Sequence, residues 1–172
     1  MPAWDGELRL QGVSDLMQIQ VRVGPSRIAG QGLFAAQDIP KGTRIIQYIG
    51  EKISSRERAR RLAAGNASIF HLTYRYALDG QTLENTARYI NHSCDPNCEA
   101  IIRGKRIFIH ARQDIYPGTE LVYDYQYERT GKDDEELEKF YLCCCGANNC
   151  RGTIMKPPPK KKPARRKRRT RK

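Results

Sequence analysis

Apolar and polar positions alternate over residues 19–23 (IQVRV), the two-residue period of a strand with one buried face, and the following GPSRIAGQG predicts a turn. A second strand is predicted over residues 43–50 (TRIIQYIG), after the turn formed by Pro40, Lys41 and Gly42. The period then changes. Ser54 with Glu57 three residues on makes a capping box, RERARRLAA supplies strong helix formers, and Gly65 is placed to end a short helix. Residues 74–78 and 81–83 flank Asp79 and Gly80, a two-residue hairpin signal. Residues 100–103 and 106–110 flank Gly104 and Lys105 in the same way. A strand over residues 120–125 would place Tyr123 and Tyr125 on one face. Many short strands with one or two small helices predict a mainly β domain. The absence of strands alternating with long helices argues against a nucleotide-binding parallel sheet.

At 172 residues the chain has room for one domain, so any site must be built within a single core. It contains no internal repeat, and no run approaches the roughly 18–20 apolar residues that span a bilayer. The start, MPAWDGELRL, has neither a basic segment nor an apolar one of the secretory kind. We therefore expect a soluble, intracellular protein with no membrane partner. Six cysteines in a reducing compartment more often hold metal than pair as disulfides.

The net charge of +12 is unevenly spread. Eleven of the 31 basic residues fall within positions 156–172 without an acid among them, leaving a nearly neutral body of 20 basic and 19 acidic residues. Four of the nine prolines lie in the same segment, KPPPKKKPARRKRRTRK, and its lack of apolar side chains predicts a disordered tail. Such a run attracts phosphate by counterion release or serves as a nuclear import signal, so nucleic acid contact is expected through residues 156–172.

Four segments could carry chemistry. Gly30, Gln31, Gly32 and Leu33 form a glycine-rich turn that lets backbone approach a ligand. The stretch YINHSCDPNC from Tyr89 to Cys98 is dense in polar side chains and contains Asn91 and His92. ELVYDY, from Glu120, carries the paired tyrosines, whose ordinary role is packing. Last, CCCGANNC places thiols at 143, 145 and 150 in a C-x-C-x4-C pattern that can wrap one Zn²⁺, with Cys144 pointing away. Structural zinc takes four ligands, so a fourth must come from elsewhere, and Cys94 and Cys98 are the candidates.

In this order the motifs resemble the SET-domain lysine methyltransferases with their cysteine-rich post-SET segment. SRIAGQGLFAAQDIPKGTRIIQYIGEKIS is similar to the family's N-terminal half, ARYINHSCDPNC to its central signature, PGTELVYDY to its catalytic strand and CCCGANNCRG to its post-SET motif. The resemblance implies a SET fold of β-clip kind, with short curved sheets around a knot-like core and a zinc-bound C-terminal segment. It implies that Gly30, Gln31, Gly32 and Leu33 line an S-adenosylmethionine site, mainly through backbone, completed by Tyr74, Arg88, Asn91 and His92. Tyr48 and Tyr125 would frame the reacting amine, with Tyr125 catalytic. Tyr123 stands where the family alternates Tyr and Phe to limit how many methyl groups fit, which leans toward mono- or dimethylation. Cys94 would join Cys143, Cys145 and Cys150 on zinc, leaving Cys98 and Cys144 outside the ligand set. The stretch LDGQTLENTARY is shorter than the family's usual approach to the signature, and Glu84-Asn85 stand where Gly-Asn is common.

The expected layout is an N-terminal extension at 1–18, a SET domain at 19–127, a linker and post-SET zinc motif at 128–155, and the basic tail at 156–172. The expected function is methyl transfer to lysine on a histone or histone-like, DNA-associated basic protein by a monomer, in a nucleus or on a bacterial nucleoid. The alternative is a non-enzymatic zinc-stabilised module that presents the tail to DNA or chromatin. It has no need of Tyr48, Asn91, His92 and Tyr125 together and would not bind S-adenosylmethionine.

Overall fold

The computed structural model describes residues 18–129, 131 and 134–158. The basic tail beyond position 158 and the extension before position 18 lie outside them. Ten short strands form three small sheets: β1 (Val21–Pro25), β2 (Gln31–Ala35), β10 (Glu120–Tyr123) and β7 (Asn91–His92) in the first, β3 (Arg44–Tyr48), β9 (Arg106–Ala111) and β8 (Cys98–Arg103) in the second, and β4 (Glu51–Ser54), β6 (Tyr76–Asp79) and β5 (Ile69–His71) in the third. The helices are α1 (Ser55–Ala63) and α2 (Asp134–Phe140), with one 3-10 turn over Thr86–Tyr89. The fold is therefore mainly β. Among the described residues no helix is long and apolar enough to cross a membrane.

Inward-facing residues of the sheets and of the segments between them meet in one core that includes Leu33, Ile39, Ile90, Ile107, Ile109, Ile115 and Leu121, all almost fully buried. The β8–β9 hairpin forms around Gly104 as the sequence predicts, closed by the pair Arg103 and Arg106. Helix α1 is also as predicted at both ends. Ser54 Oγ accepts the Glu57 N–H at 3.2 Å, and Gly65 takes a positive φ of 86° just past the helix. Only half of the capping box forms, because the Glu57 carboxylate is taken by Arg60 and Arg61.

Three expectations need correction. The predicted strand over 43–50 is broken at its end, and β3 and β4 belong to different sheets. The cause is the corner at Ile49 and Gly50, where a Cβ on Gly50 would lie 2.1 Å from the Asp79 carbonyl oxygen. The stretch read as turn after the first strand contributes the end of β1 and the start of β2, which pair from Val21 against Ala35 to Pro25 against Gln31. The hairpin expected across Asp79-Gly80 does not form: β6 pairs with β4 on one side and β5 on the other, while residues 81–83 form no strand. Arg61 and Asn66 bind the Asp79 carboxylate at 2.5 and 2.9 Å, and the Gly80 N–H donates to the Ser68 carbonyl. The turn's polar groups are spent on α1 and β5, so the chain leaves the sheet.

Candidate active site

The strand β10 organises the site. Its Glu120 and Leu121 pair antiparallel with Phe34 and Leu33 of β2, and its Val122 and Tyr123 pair parallel with Asn91 and His92 of β7. Asn97 anchors the junction, donating to the Glu120 carbonyl at 2.8 Å and accepting the Val122 N–H at 2.9 Å. The glycine-rich turn, the Asn91-His92 pair and the tyrosines, distant in sequence, are thereby neighbours.

On one side of β10 the turn before β2 meets a polar cluster. Asn91 Nδ2 has four acceptors within reach: Ser26 Oγ at 3.1 Å, the carbonyls of Ala29 and Gln31 at 3.3 and 3.0 Å, and Glu120 Oε1 at 2.8 Å. Ser26 Oγ–H also donates to Glu120 Oε1 at 2.8 Å. Four acceptors around two amide hydrogens leave surplus acceptor capacity, which suits a cationic ligand group. A Cβ on Gly32 would lie 2.4 Å from Glu120 Oε1, so any other residue here would displace that carboxylate. Gly30 has a φ of 45°, the left-handed conformation that favours glycine. Gln31 is exposed, whereas Leu33 has no exposed surface and packs the core from β2.

On the other side lies an aromatic cluster. Tyr48, Phe70, Tyr123, Tyr125 and Tyr127 follow one another at ring-centroid separations of 5.6 Å (48 to 70), 6.0 Å (70 to 123), 4.8 Å (123 to 125) and 6.0 Å (125 to 127). Each tyrosine hydroxyl that is bonded donates to a backbone carbonyl: Tyr48 to Ser68 at 2.8 Å, Tyr125 to Ile90 at 2.8 Å and Tyr127 to Ala67 at 3.1 Å. All five rings line a cavity of about 960 Å³, together with Arg88, Asp124 and Lys156. Burial, and secondarily the neighbouring tyrosines, push the hydroxyls of Tyr48, Tyr123 and Tyr125 well above the ordinary phenol range. Burial raises Tyr127 to about 12.

His92 joins the two sides. Its Nδ1 accepts the Tyr125 N–H at 3.1 Å, which leaves Nε2 to carry the proton toward Cys94 Sγ at 3.4 Å, and its ring lies 5.3 Å from that of Tyr125. Burial holds its pKa below the usual imidazole range, the Arg151 guanidinium acts in the same direction, and Asp124 opposes them. Arg88 lines the cavity and donates to the Gln81 carbonyl and the Tyr89 hydroxyl. Tyr74 does not come to the site: it is 75% exposed on the loop before β6, with its ring against Arg75. Phe70, Tyr127, Glu120 and Asp124 are residues that sequence reasoning missed. Tyr127 could have been found by continuing the two-residue spacing of Tyr123 and Tyr125, and Phe70 carries no such signal.

Beyond the tyrosines, Cys94, Cys143, Cys145 and Cys150 bring their sulfur atoms within 4.8 Å of one another. The group fits a structural zinc, which takes four thiolates in a tetrahedron. Backbone donors support thiolate character. The N–H groups of Cys94, Arg151 and Gly152 point at the sulfurs of Cys145, Cys94 and Cys150 at 3.5, 3.4 and 3.4 Å. Although desolvation works against it, the N–H groups of Cys94 and Ala147 and the other thiols bring the Cys145 pKa down to about 6, whereas burial raises the thiols of Cys94 and Cys143. Cys98 is buried in the core on β8 with its pKa raised by burial to about 12, and Cys144 is exposed, so neither joins the cluster.

Comparison with known proteins agrees with this geometry. The chain is 44% identical over 118 residues to a histone-lysine N-methyltransferase, H3 lysine-4 specific, of Schizosaccharomyces pombe, a match covering 63% of this chain and 13% of that protein. It is 44% identical over 117 residues to the histone-lysine N-methyltransferase trr of Drosophila melanogaster, covering 63% of this chain and 5% of the relative. The match thus spans only a small part of these relatives. Among solved structures, a humanized mutant of the Chaetomium thermophilum Polycomb Repressive Complex 2 bound to an inhibitor aligns with a TM-score of 0.57 at 36% identity, over 62% of this chain and 15% of that one. The model of the SET domain matches residues 30–126, more than half of the chain and the whole stretch from the glycine-rich turn to the tyrosine strand, and the chain belongs to the SET domain family.

Proposed function

We propose that the protein is an S-adenosylmethionine-dependent protein-lysine N-methyltransferase acting on histones or similar DNA-associated basic proteins. The observation that carries the reading is the meeting, across the single strand β10, of an acceptor-rich turn with a cluster of buried tyrosines. The cofactor supplies a sulfonium methyl group. Its ammonium group would fit the surplus acceptors around Asn91, and the substrate amine would fit between Tyr48, Tyr123 and Tyr125.

In-line displacement needs the lone pair of a neutral amine. With a pKa of about 10.4 only roughly one lysine in 2,500 is neutral at pH 7. An aromatic channel disfavours the ammonium by desolvation, and a sulfonium beside it acts in the same direction. When bound, the cofactor would give its methyl group to the amine nitrogen as the C–S bond breaks, with a thioether as leaving group and the amine proton lost to solvent. Buried tyrosines with raised pKa values act as hydrogen-bond donors and shape the channel. None of them is placed to serve as a base. Positioning of this kind can supply about 7–11 kcal/mol, which is why Tyr125, bonded to the Ile90 carbonyl through its hydroxyl and to His92 through its N–H, is assigned the catalytic role. The Tyr123 hydroxyl narrows the cavity and favours mono- or dimethylation.

The zinc cluster has a structural task, because four thiolates leave no position for water. The layout we assign is an extension at 1–18, the SET domain at 19–127, the zinc segment at 128–155 and a basic tail at 156–172 that contacts nucleic acid. The enzyme acts as a monomer at chromatin. The names of its relatives support a histone substrate, and a basic tail would raise the local concentration of DNA-bound targets. Labelled methyl transfer to a panel of histones and other basic proteins, followed by mapping of the modified lysine, tests the reading. Incorporation into a histone lysine is expected, and failure of the chain both to bind S-adenosylmethionine and to label any lysine would leave the binding-module alternative.

A further inference from the structure

The cysteine cluster and the tyrosine strand are joined by one ion pair. Arg151 directly follows Cys150. Its guanidinium grips both oxygens of Asp124, Nη2 to Oδ1 at 2.7 Å and Nη1 to Oδ2 at 3.0 Å, the fork-on-fork geometry that fixes orientation as well as contact. Both side chains are largely shielded, with 22% and 17% exposed. The Arg151 N–H points at Cys94 Sγ at 3.4 Å, and its Nη2 also reaches the Met155 carbonyl at 3.3 Å. Arg151 is thus bonded to the thiol cluster through its backbone and to the tyrosine strand through its side chain.

Asp124 stands between Tyr123 and Tyr125, and its carboxylate holds more than the arginine. Oδ1 accepts the Gln126 N–H at 3.3 Å and lies 3.6 Å from His92 Nδ1, the nitrogen that accepts the Tyr125 N–H. Gln126 has a φ of 51°, the one positive φ outside glycine among the described residues. Immediately after Tyr125, therefore, the chain turns through a conformation that a residue with a Cβ adopts only when its surroundings enforce it. The Asp124 carboxylate caps this turn, and Arg151 holds the carboxylate. A partly buried ion pair of this kind adds little net stability because desolvation offsets its attraction, whereas loss of one partner leaves the other uncompensated.

We propose that Asp124 and Arg151 are a positioning pair that transmits the folding of the cysteine-rich segment to Tyr125, so that the reaction depends on this segment through their guanidinium–carboxylate contact as well as through the packing of Tyr127. Neither residue is assigned contact with the reacting atoms. The kinetic part of the inference rests on the proposed methyltransferase activity, and the conformational part does not.

The test uses the full chain loaded with zinc, as wild type, Arg151→Ala, Arg151→Lys and Asp124→Asn. Zinc content, cofactor KM, kcat and amide hydrogen exchange at residues 124–127 are read for each. Arg151→Ala is expected to retain its zinc, to lower kcat by roughly ten- to a hundredfold, the cost of a small misplacement at a reacting centre, and to change the cofactor KM far less. Exchange at residues 124–127 should rise while that of β8 and β9 stays unchanged. Arg151→Lys, which cannot grip both oxygens, should fall between wild type and alanine. Added guanidinium at low, non-denaturing concentration should restore part of the rate to Arg151→Ala and none to wild type. A rate that falls only in proportion to lost zinc, or exchange at residues 124–127 that matches wild type in zinc-loaded Arg151→Ala, overturns the proposal. If the wild type transfers no methyl group at all, the activity assignment fails instead, and the exchange measurement still decides the pair.

Discussion

The hydroxyl of Tyr125 is held by the Ile90 carbonyl in a site where burial keeps it protonated far beyond the usual phenol range, and the same holds for Tyr48 at the other edge of the aromatic cluster. A raised acid pKa means that the donor survives as pH increases, while the neutral fraction of the substrate amine grows about tenfold per unit below its own pKa near 10.4. The kcat/KM of methyl transfer, which reports the free amine and free enzyme, should climb from pH 7 toward pH 10 with no descending limb near pH 10 in a pH series; a fall there would mean that a tyrosine titrates like a free phenol. Tyr125→Phe removes the donor but keeps the ring. It should lower kcat by roughly a hundredfold, within the range for lost transition-state hydrogen-bond donors, while the cofactor dissociation constant from calorimetry stays close to wild type. Gly32→Ala should do the reverse, because its Cβ would fall on the Glu120 carboxylate that steadies Ser26 and Asn91. The cofactor should then bind more weakly by about tenfold or more, the scale of about 1.4 kcal/mol or above for local overpacking. These residues were legible in sequence because their motifs are contiguous. Glu120 and Asp124 sit inside the same motif, but their partners, Ser26 and Arg151, lie far away in the chain, and pairing of that kind leaves no local trace.

At the level of elements, strands were found where alternation or a tight turn marks them, as in β1, β3, β10 and the β8–β9 hairpin, and β5 was not. Its sequence, Ile69–His71, is too short to show a period, and its only strand partner is β6. The mistaken hairpin at Asp79-Gly80 has the same origin: the dipeptide is a good turn, but long-range partners claim its polar groups. Asn85, five residues on, claims the Gly80 carbonyl as well. It is fully buried, donates through Nδ2 to the Gly80 carbonyl at 3.0 Å and accepts the Ile49 N–H through Oδ1 at 3.1 Å, so one side chain ties the β3–β4 corner to the loop after β6. Gly80 leaves room for it, since a Cβ there would lie 2.3 Å from Asn85 Nδ2 and 2.4 Å from the Tyr48 ring. Asn85→Ala would strand the buried Gly80 carbonyl and the part-buried Ile49 N–H and should cost about 1–3 kcal/mol, read as a lower denaturation midpoint with an unchanged slope. Because Tyr48 rests against the same corner, its loss of support should also lower kcat, whereas an effect on stability alone would confine Asn85 to packing.

For the molecule as a whole, the core is complete without the cysteine-rich segment apart from a few contacts. The residues that fill it come from the three sheets and the segments between them, and of the C-terminal stretch Thr153 and Met155 are the deeply buried side chains. Residues 141–156 are otherwise held by narrow attachments: the bridge from Tyr127 to Met155, the Tyr127–Tyr141 ring contact at 5.0 Å, the Arg151–Asp124 pair and the thiol cluster that includes Cys94. A segment with so little apolar burial of its own would draw its folding free energy from a metal held by the four thiols. Removing zinc with a chelator should therefore open residues 141–156 to protease and to hydrogen exchange while the far-ultraviolet signal of the β sheets persists. Methyl transfer should fall with the metal, since Tyr127 loses the bridge and the ring that hold it over Tyr125. Cys145→Ser should reproduce the effect without chelator, and Cys98→Ser, which changes a core thiol outside the cluster, should leave zinc stoichiometry unchanged in elemental analysis. Collapse of the whole body on chelation would mean that the metal supports the central core, and full protection of residues 141–156 after its removal would mean that the four thiols close the segment without it.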